Sequence, residues 1–423
     1  METNSTDRME FRKEEIVVLG GGLMGSSAAW QVAKSGRRVI LLEQQDREYN
    51  NGSSFGEARI CRSLGPKNDI WSYLHRRAVS ESEKLVSFLD NNDSDRHSME
   101  DIYTTSPVTY LFKTTKKEAV RRMLRQQNDK YSYASSPEEA HEIFNTTLAE
   151  DQIIIQEYRL HTGTINPKAL ISKLHLALGY KNSEVIYGQK VEEIRHENDG
   201  YHLLTTDKKT GDKTTWHTRQ IVSALGPYTS HLLSSVSPKF TKLITPERVA
   251  LSFFSISSNR YESYSVAQKE KIKNFFPYID LNGDHVFAMI EKMVDGRPLF
   301  KIGGHFLREK IDNLDDMWNK EISESEIEWA RKQLTGYFRI LGIPLLSDGL
   351  VYEKGYSCVY SLTPNEVPIV DNVHPDLILM GGFSGVGAKG AMTYGLIASN
   401  LLSGVQEDEF MYLKVVNALK KDR

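Results

Sequence analysis

Gly20-Gly21-Gly22-Leu23-Met24-Gly25 restricts this chain more than any other stretch. Residues 16–19, just before it, form a short apolar run, and residues 23–34 carry a helical pattern that Gly36 ends. Arg38-Val39-Ile40-Leu41-Leu42-Glu43 then reads as a second buried strand. Strand, glycine turn, helix and strand make a βαβ unit, which implies a parallel sheet. Within G-x-G-x-x-G, Gly20 permits the tight turn, Gly22 lets a pyrophosphate reach the backbone, and Gly25 lets helix and strand pack closely. The helix start at Leu23 and Met24 offers amide hydrogens and a positive dipole end to phosphate. Glu43 closes the second strand about 20 residues on, where a ribose-binding acid belongs. The pattern predicts a bound dinucleotide and leaves NAD and FAD both open.

Near the other end, Leu377-Ile378-Leu379-Met380 is again a short apolar run that reaches glycines, and a helical stretch follows over 391–402. Two such units so far apart suggest one domain assembled from distant segments. The middle of the chain has a different texture. Asp280-Leu281-Asn282-Gly283-Asp284 carries hairpin-turn chemistry between strand-like runs. Residues 324–338 read as an amphipathic helix with Ile327, Ala330, Leu334 and Phe338 near one face. A chain of 423 residues suits two packed domains. The expected division gives the cofactor domain 13–90, 151–232 and 345–405, and a mixed-sheet domain 91–150 and 233–344. Residues 406–423 are left as a C-terminal tail or helix.

Charge and cysteine content exclude several classes. A formal net charge of −3 gives no field that draws the chain to nucleic acid or an acidic membrane. Two cysteines, Cys61 and Cys358, build no disulfide scaffold. No apolar run approaches the ~18 residues that span a bilayer. Residues 1–15 lack the apolar stretch of a secretion signal, so the cytoplasm is the expected compartment. No metal site is expected.

A second set of residues chooses the cofactor. Asn51-Gly52-Ser53-Ser54-Phe55-Gly56-Glu57-Ala58-Arg59-Ile60-Cys61-Arg62 resembles the segment after the second strand in the monomeric sarcosine oxidase, N-methyltryptophan oxidase and pipecolate oxidase family. Phe300-Lys301-Ile302-Gly303-Gly304-His305 resembles that family's flavin-facing Lys-x-x-x-His strand. Cys358-Val359-Tyr360 followed by Thr363-Pro364-Asn365-Glu366 looks like its cofactor-attachment segment. Gly381-Gly382-Phe383-Ser384-Gly385-Val386-Gly387-Ala388-Lys389 is similar to its Gly-Phe-Ser-Gly-x-Gly-x-Lys signature. Ile221-Val222-Ser223-Ala224-Leu225-Gly226 fits the strand that returns to the cofactor domain.

The resemblance implies α/β and α+β architecture: a Rossmann-type FAD-binding domain with a substrate domain of the D-amino-acid-oxidase type. It implies FAD, held covalently by an 8α thioether to Cys358, with Ser53, Arg59, Val191, Gly226, Gly385, Gly387 and Lys389 among the cofactor contacts. Arg62 and Lys389 match the clamp on the substrate carboxylate, and Lys301 matches the oxygen-activating lysine. His305, Arg59 and Tyr360 are expected near the flavin. Lys301 and His305, four apart on a probable strand, are expected on one face, as are Cys358 and Tyr360. The implied partners are an amino acid substrate and O2, and the implied state is a monomer.

Three departures bear on the substrate. Phe55 and Ser54 replace polar residues of the sarcosine oxidases. The stretch 257–275 is longer than the family pattern where substrate-contacting loops are expected, and Phe287 is the candidate for the family's substrate tyrosine. These widen the expected substrate from sarcosine to a bulkier N-methyl or cyclic imino acid such as pipecolate. The competing readings are a flavin dehydrogenase of the same fold, a biosynthetic desaturase, and a non-enzymatic flavin-binding module. Retention of Arg62, Lys301, Cys358 and Lys389 weighs against the last.

Overall fold

Parallel pairing starts earlier than the apolar run alone suggests, because the first strand spans Met9–Leu19. The computed structural model describes residues 9–48, 52–64, 69–125, 131–314, 321–345 and 349–420. Met9–Leu19 lies between Ile40–Leu42 and Lys213–Ser223, parallel to both. Glu184–Ile186 pairs in parallel outside Ile40–Leu42, and Leu377–Gly381 outside the second half of Lys213–Ser223. Val17 stands opposite Ile40 on one side and Ile221 on the other, and Ile221 opposite Leu377. Ile16, Val17, Val18 and Leu19 are buried without alternation, as a sheet covered on both faces requires. The first half of Lys213–Ser223 pairs instead with Gly200–Asp207, which pairs with Gln189–Glu197, forming an antiparallel meander. Ile369–His374 completes the eight strands at the other edge.

Helix Leu23–Lys34 packs on helix Ala391–Ser403, so the two glycine-turn units at opposite ends of the chain do join one layer. A Cβ on Gly395 would stand 2.5 Å from the Ser27 carbonyl carbon, a backbone approach that only glycine allows. Helix Phe410–Ala418 adds Tyr412 and Val415 to the same core.

The second sheet has nine strands. Its pairings are antiparallel except where Tyr278–Asp280 runs beside Val108–Lys113. The expected hairpin links Tyr278–Asp280 to Phe287–Val294. The expected helix, Glu324–Ile340, opens at a Ser323 capping box and buries Leu334 and Phe338 against Phe254 and Phe300. Arg59–Cys61, Gly163–Ile165 and Tyr103–Thr105 form a third, small sheet.

Two segments that the sequence groups with the cofactor unit run in the second sheet. Gln152–Glu157 pairs with Val108–Lys113, and Leu350–Leu362 pairs along its length with Thr245–Ile256. Their apolar pattern reads alike in either sheet, so composition does not mark which sheet they join. Among the described residues no helix is long and apolar enough to cross a membrane.

Candidate active site

The parallel strands end at one cavity of about 1310 Å³. Gly20, Leu42, Ala224 and Met380 line it from the carboxyl ends of four strands, where open α/β sheets bind ligands. The second sheet contributes Leu251, Phe287, Met289, Lys301, Cys358 and Tyr360 to the same walls.

At the sheet end, geometry explains each glycine. Gly20 has φ +96°, and a Cβ there would stand 2.6 Å from the Ala224 carbonyl oxygen. On Gly25 it would stand 1.9 Å from the Gly20 oxygen. Gly22 is different, because it lines the cavity and its nearest contact would be Ser54 Oγ at 3.3 Å. It is also the N-cap of Leu23–Lys34 and brings no side chain to satisfy the first amides. Ser54 Oγ accepts one of them, from Leu23 N, at 3.0 Å. Glu43 Oε2 accepts from Gly21 N at 2.6 Å and Oε1 from Gln45 N at 2.8 Å, while burial pushes its pKa up. An open middle glycine at a helix start, beside a buried acid, fits the pyrophosphate and ribose of a dinucleotide.

Below the turn runs a hydrogen-bond chain that the sequence does not reveal. Ser26 Oγ donates to the Gly21 carbonyl at 2.8 Å and lies 2.8 Å from His175 Nε2. His175 Nδ1 lies 2.6 Å from the Tyr187 hydroxyl. The serine has one proton, so His175 must donate from Nε2, and Nδ1 must accept from Tyr187. Burial pulls the His175 pKa down to about 4, consistent with a neutral ring.

Across the cavity, Lys301 is 1% exposed. Its ammonium donates to the Ala58 carbonyl and to Glu291. Burial, then the Arg59 charge, lowers its pKa to about 7, while Glu291 opposes the fall. Glu291 also accepts from Glu57 N at 2.7 Å. Its position depends on a β-bulge: Ile290 pairs with Phe300 and Lys292 with Leu299, leaving Glu291 as the extra residue. Bulges re-aim side chains in this way beside functional sites. Arg59 donates to the Ala58 carbonyl at 2.9 Å and the Ser53 carbonyl at 3.2 Å, and Ser53 Oγ donates to the Val359 carbonyl at 2.7 Å.

Lys389 is 5% exposed and makes no hydrogen bond or ion pair among the described residues. Its ammonium lies 4.9 Å from the Trp71 ring centre. Burial and then the Arg62 charge hold its pKa well below the usual lysine range. Arg62 lies over the Tyr110 ring at 5.6 Å and donates to the Leu64 carbonyl. Buried Glu157 fixes that segment, accepting from Ser63 N at 3.0 Å, Leu64 N at 3.1 Å and the Tyr110 hydroxyl at 2.7 Å. Two cations, one of them unpaired, therefore face the cavity.

Cys358 and Tyr360 lie on strand Leu350–Leu362 and both line the cavity. Burial raises the Cys358 pKa, against Arg59 and Lys301, which lower it. Tyr360 fills the space beside Gly385, where a Cβ would meet its ring at 2.5 Å. His305 departs from expectation: its strand ends at Gly303, and His305 sits in the turn beyond, held by its amide on the Asp284 carbonyl. The glycine pair Gly303-Gly304 ends the ladder there. His305 still lines the cavity, 5.9 Å from the Tyr360 ring, and burial lowers its pKa to about 4.

The cavity gathers the other sequence-predicted residues too: Leu23, Met24, Val191, Gly226 and Gly387 line it, and Gly25 alone packs beneath the turn. The 257–275 stretch does not reach it. That stretch forms helices Ser258–Glu262 and Val266–Lys273, and its Tyr261, Tyr264, Ile272 and Phe275 join the core of the second sheet. Glu291, Glu157 and His175 are the residues that sequence reasoning missed. Only Glu291 left a trace, as the acid continuing the Phe287, Met289 alternation.

A phosphate cradle at the strand ends, facing buried cations across one cavity, has the geometry of a dinucleotide-binding enzyme site. A family model described as DAO, FAD dependent oxidoreductase, matches residues 15–401, and the chain belongs to this family. The cofactor of the family is FAD. The chain is 24% identical over 408 residues to a probable sarcosine oxidase of Arabidopsis thaliana, covering 93% of this chain and 88% of that one. It is also 24% identical to a monomeric sarcosine oxidase of Bacillus sp. (strain NS-129), covering 96% and 98%. The fold matches that of an L-proline dehydrogenase from P. horikoshii with a TM-score of 0.71 at 18% identity, over 94% and 95% of the two chains.

Proposed function

We propose that the protein oxidises a secondary amino acid, an N-methyl or cyclic imino acid such as sarcosine or pipecolate, giving an imine and H2O2. The observation that carries this reading is Lys389, a buried ammonium that makes no hydrogen bond or ion pair among the described residues and faces the FAD cavity beside Arg62. An uncompensated buried cation is costly unless a ligand completes it. A carboxylate held by lysine and arginine together is fixed in orientation as well as position.

FAD, when bound, would supply the hydride acceptor and the route for electrons to O2. The chain supplies the surroundings. Ile60, Ile279, Leu281 and Phe287 line the cavity with Arg62 and Lys389, so a substrate anchored by its carboxylate meets apolar walls. Those walls exclude water and favour a substrate bulkier than sarcosine. His305 is neutral near pH 7, so it offers a hydrogen bond and no charge. Lys301 is held on the second sheet by Glu291 and the Ala58 carbonyl, and its charge stabilises negative charge developing on oxygen. Gly20, Gly22 and the helix start would hold the pyrophosphate and Glu43 the ribose, while Arg59 braces the 53–59 loop through the Ser53, Phe55 and Ala58 carbonyls. The first sheet then carries the cofactor and the second roofs the substrate. Cys358 holds the flavin through a thioether, so acid precipitation leaves the yellow colour with the protein; colour left wholly in the supernatant refutes the bond. The same reading makes the enzyme a cytoplasmic monomer, which sizing of the holoprotein and cell fractionation check.

One observation favours a second reading. Glu291 neutralises Lys301, and a compensated cation attracts superoxide less, as in a dehydrogenase that uses another acceptor. Anaerobic mixing separates the two. Flavin absorbance is followed with sarcosine, N-methyl-L-amino acids, L-pipecolate, L-proline and their D-forms, where these exist, and air is then admitted. Bleaching by a secondary amino acid with rapid recovery in air supports the oxidase. Slow recovery supports the dehydrogenase, and no bleaching by any of them sinks both.

A further inference from the structure

The antiparallel meander carries a cluster that the redox chemistry does not use. His202 and His217 stand directly opposite each other on Gly200–Asp207 and Lys213–Ser223, with ring centres 4.8 Å apart. Asp199, in the turn that leads into Gly200–Asp207, reaches both rings. Its Oδ1 lies 3.2 Å from His202 Nε2, its Oδ2 lies 3.1 Å from His217 Nε2, and its carbonyl oxygen lies 3.2 Å from the same His217 nitrogen. Glu197 Oε2 lies 3.8 Å from His202 Nε2. One ligand atom from each of Asp199, His202 and His217 falls within 4.8 Å of the other two.

We propose that this cluster binds a zinc ion through His202, His217 and Asp199, with Glu197 closing the fourth position. Ligands at about 2.0–2.2 Å around a tetrahedral zinc stand roughly 3.4 Å apart, and small side-chain shifts would bring the present atoms, all within 4.8 Å of one another, to that spacing. Two imidazoles and two carboxylates are an N2O2 set that suits zinc better than calcium or magnesium. Charge agrees. Neither Asp199 nor Glu197 is paired with a lysine or arginine among the described residues, so with neutral imidazoles the cluster carries two negative charges. A divalent cation cancels them.

The turn is also packed closely against its neighbour strand. Gly200 has φ +136°, and a Cβ there would stand 2.6 Å from the Thr218 carbonyl oxygen. The hairpin is thereby pressed onto the strand that carries His217, and His217 is mostly buried, with 10% of its side chain exposed. A metal at this point ties the three strands of the meander together. The first of these, Gln189–Glu197, lines the cofactor cavity with Gln189, Lys190, Val191 and Glu192. The ion is therefore a staple for that wall and takes no part in the redox step.

Titration of the FAD-loaded protein with zinc chloride in a non-chelating buffer, followed by calorimetry, tests the site. The double variant His202→Asn/His217→Asn should bind one equivalent fewer than the wild type, and Asp199→Asn should weaken the same equivalent at least tenfold. Flavin absorbance and far-UV circular dichroism confirm that the variants are folded. Equal stoichiometry in wild type and double variant, or no zinc bound by the wild type, overturns the site. A second measurement needs no variant: cobalt(II) added to wild-type protein should give the intense visible band of a tetrahedral site. A weak octahedral spectrum alone would refute the geometry.

Discussion

Lys301 and Lys389 face one cavity from different parts of the fold, and they solve the problem of burial in opposite ways. Lys301 comes from the middle of a strand in the second sheet and finds a carboxylate, Glu291, and a carbonyl, Ala58. Lys389 comes from the glycine turn before helix Ala391–Ser403 and, among the described residues, has the face of Trp71 as its neighbour and no hydrogen bond or ion pair, with the Glu157 charge acting from further off. Burial lowers both pKa values, and a neighbouring arginine adds to the fall in each case. For Lys301 the carboxylate pulls back, and its pKa rests at about 7. A satisfied charge is held in place by the protein itself. An unsatisfied one leaves folding to bear the cost of burying it.

Removing the unpaired cation gives the largest effect. Lys389→Met should lower kcat/KM by roughly 30- to 5000-fold, the equivalent of about 2–5 kcal/mol for truncating one partner of a buried charge pair. The same change should raise the melting temperature of the substrate-free protein, with a gain of about 0.5–2 kcal/mol. The sign follows from linkage. The Lys389 pKa is lower folded than the 10.5 of an ordinary lysine, so the unfolded chain holds more protons between those values. Wild-type stability therefore carries a penalty at low pH that is relieved as pH rises through the folded pKa toward 10.5. The variant lacks that dependence. A melting temperature that falls would mean that Lys389 has a partner and that the contrast with Lys301 is false.

Removing the paired cation should separate the half-reactions. Lys301→Met should slow flavin reoxidation by O2 on the order of 10²- to 10³-fold, the usual loss when one preorganised electrostatic group is deleted. Flavin reduction by substrate should change little. Stopped-flow traces of each half-reaction decide it, and equal losses in both would remove the oxygen role.

Glu291→Gln sharpens the comparison, because it turns Lys301 into a second unpaired lysine. With a pKa of about 7, Lys301 loses its proton as pH rises, so wild-type reoxidation should fall through about pH 7. Without the carboxylate that supports the charged form, the fall should move about one pH unit to the acid side. At pH 8 the variant should reoxidise roughly tenfold more slowly, and below pH 5 the two should converge. Reoxidation profiles that coincide across the range would show that Glu291 does not set the charge of Lys301.

These two lysines also mark how far the sequence could be read. Lys389 was legible because its glycines are sequence-local: Gly385 and Gly387 set the turn that presents it, and the pattern lies within nine residues. The phosphate turn was legible for the same reason, since its glycines lie within six residues and a side chain on Gly25 would clash with Gly20 itself, although Gly20 is also constrained by the distant Ala224. The partner of Lys301 left only a faint trace, because Glu291 continues the Phe287, Met289 alternation in sequence but reaches Lys301 through a bulge that alternation does not announce. Glu157 and His175 were hidden because a buried acid and a buried imidazole are defined by contacts 94 and 149 residues away. The 257–275 insertion was misread as a substrate loop: its polarity is that of short helices with one exposed side, and its aromatic residues turn inward.

The smallest expected effects concern the aromatic rings beside each ammonium, and they test the ranking directly. Trp71 lies 4.9 Å from the Lys389 ammonium, and Phe253 lies 6.0 Å from that of Lys301, at the edge of useful range. A cation over a tryptophan face is stabilised by about 0.5–2 kcal/mol, and tryptophan is the better ring. Trp71→Leu should therefore weaken binding of a substrate carboxylate by roughly 2- to 30-fold, read as the Kd of an unreactive analogue. Phe253→Leu should leave reoxidation within about twofold, because Glu291 and the Ala58 carbonyl already hold Lys301. If Phe253→Leu proves the more damaging of the two, the carboxylate is not the dominant partner of Lys301. The difference between a paired and an unpaired lysine would then lie in ring packing instead of charge.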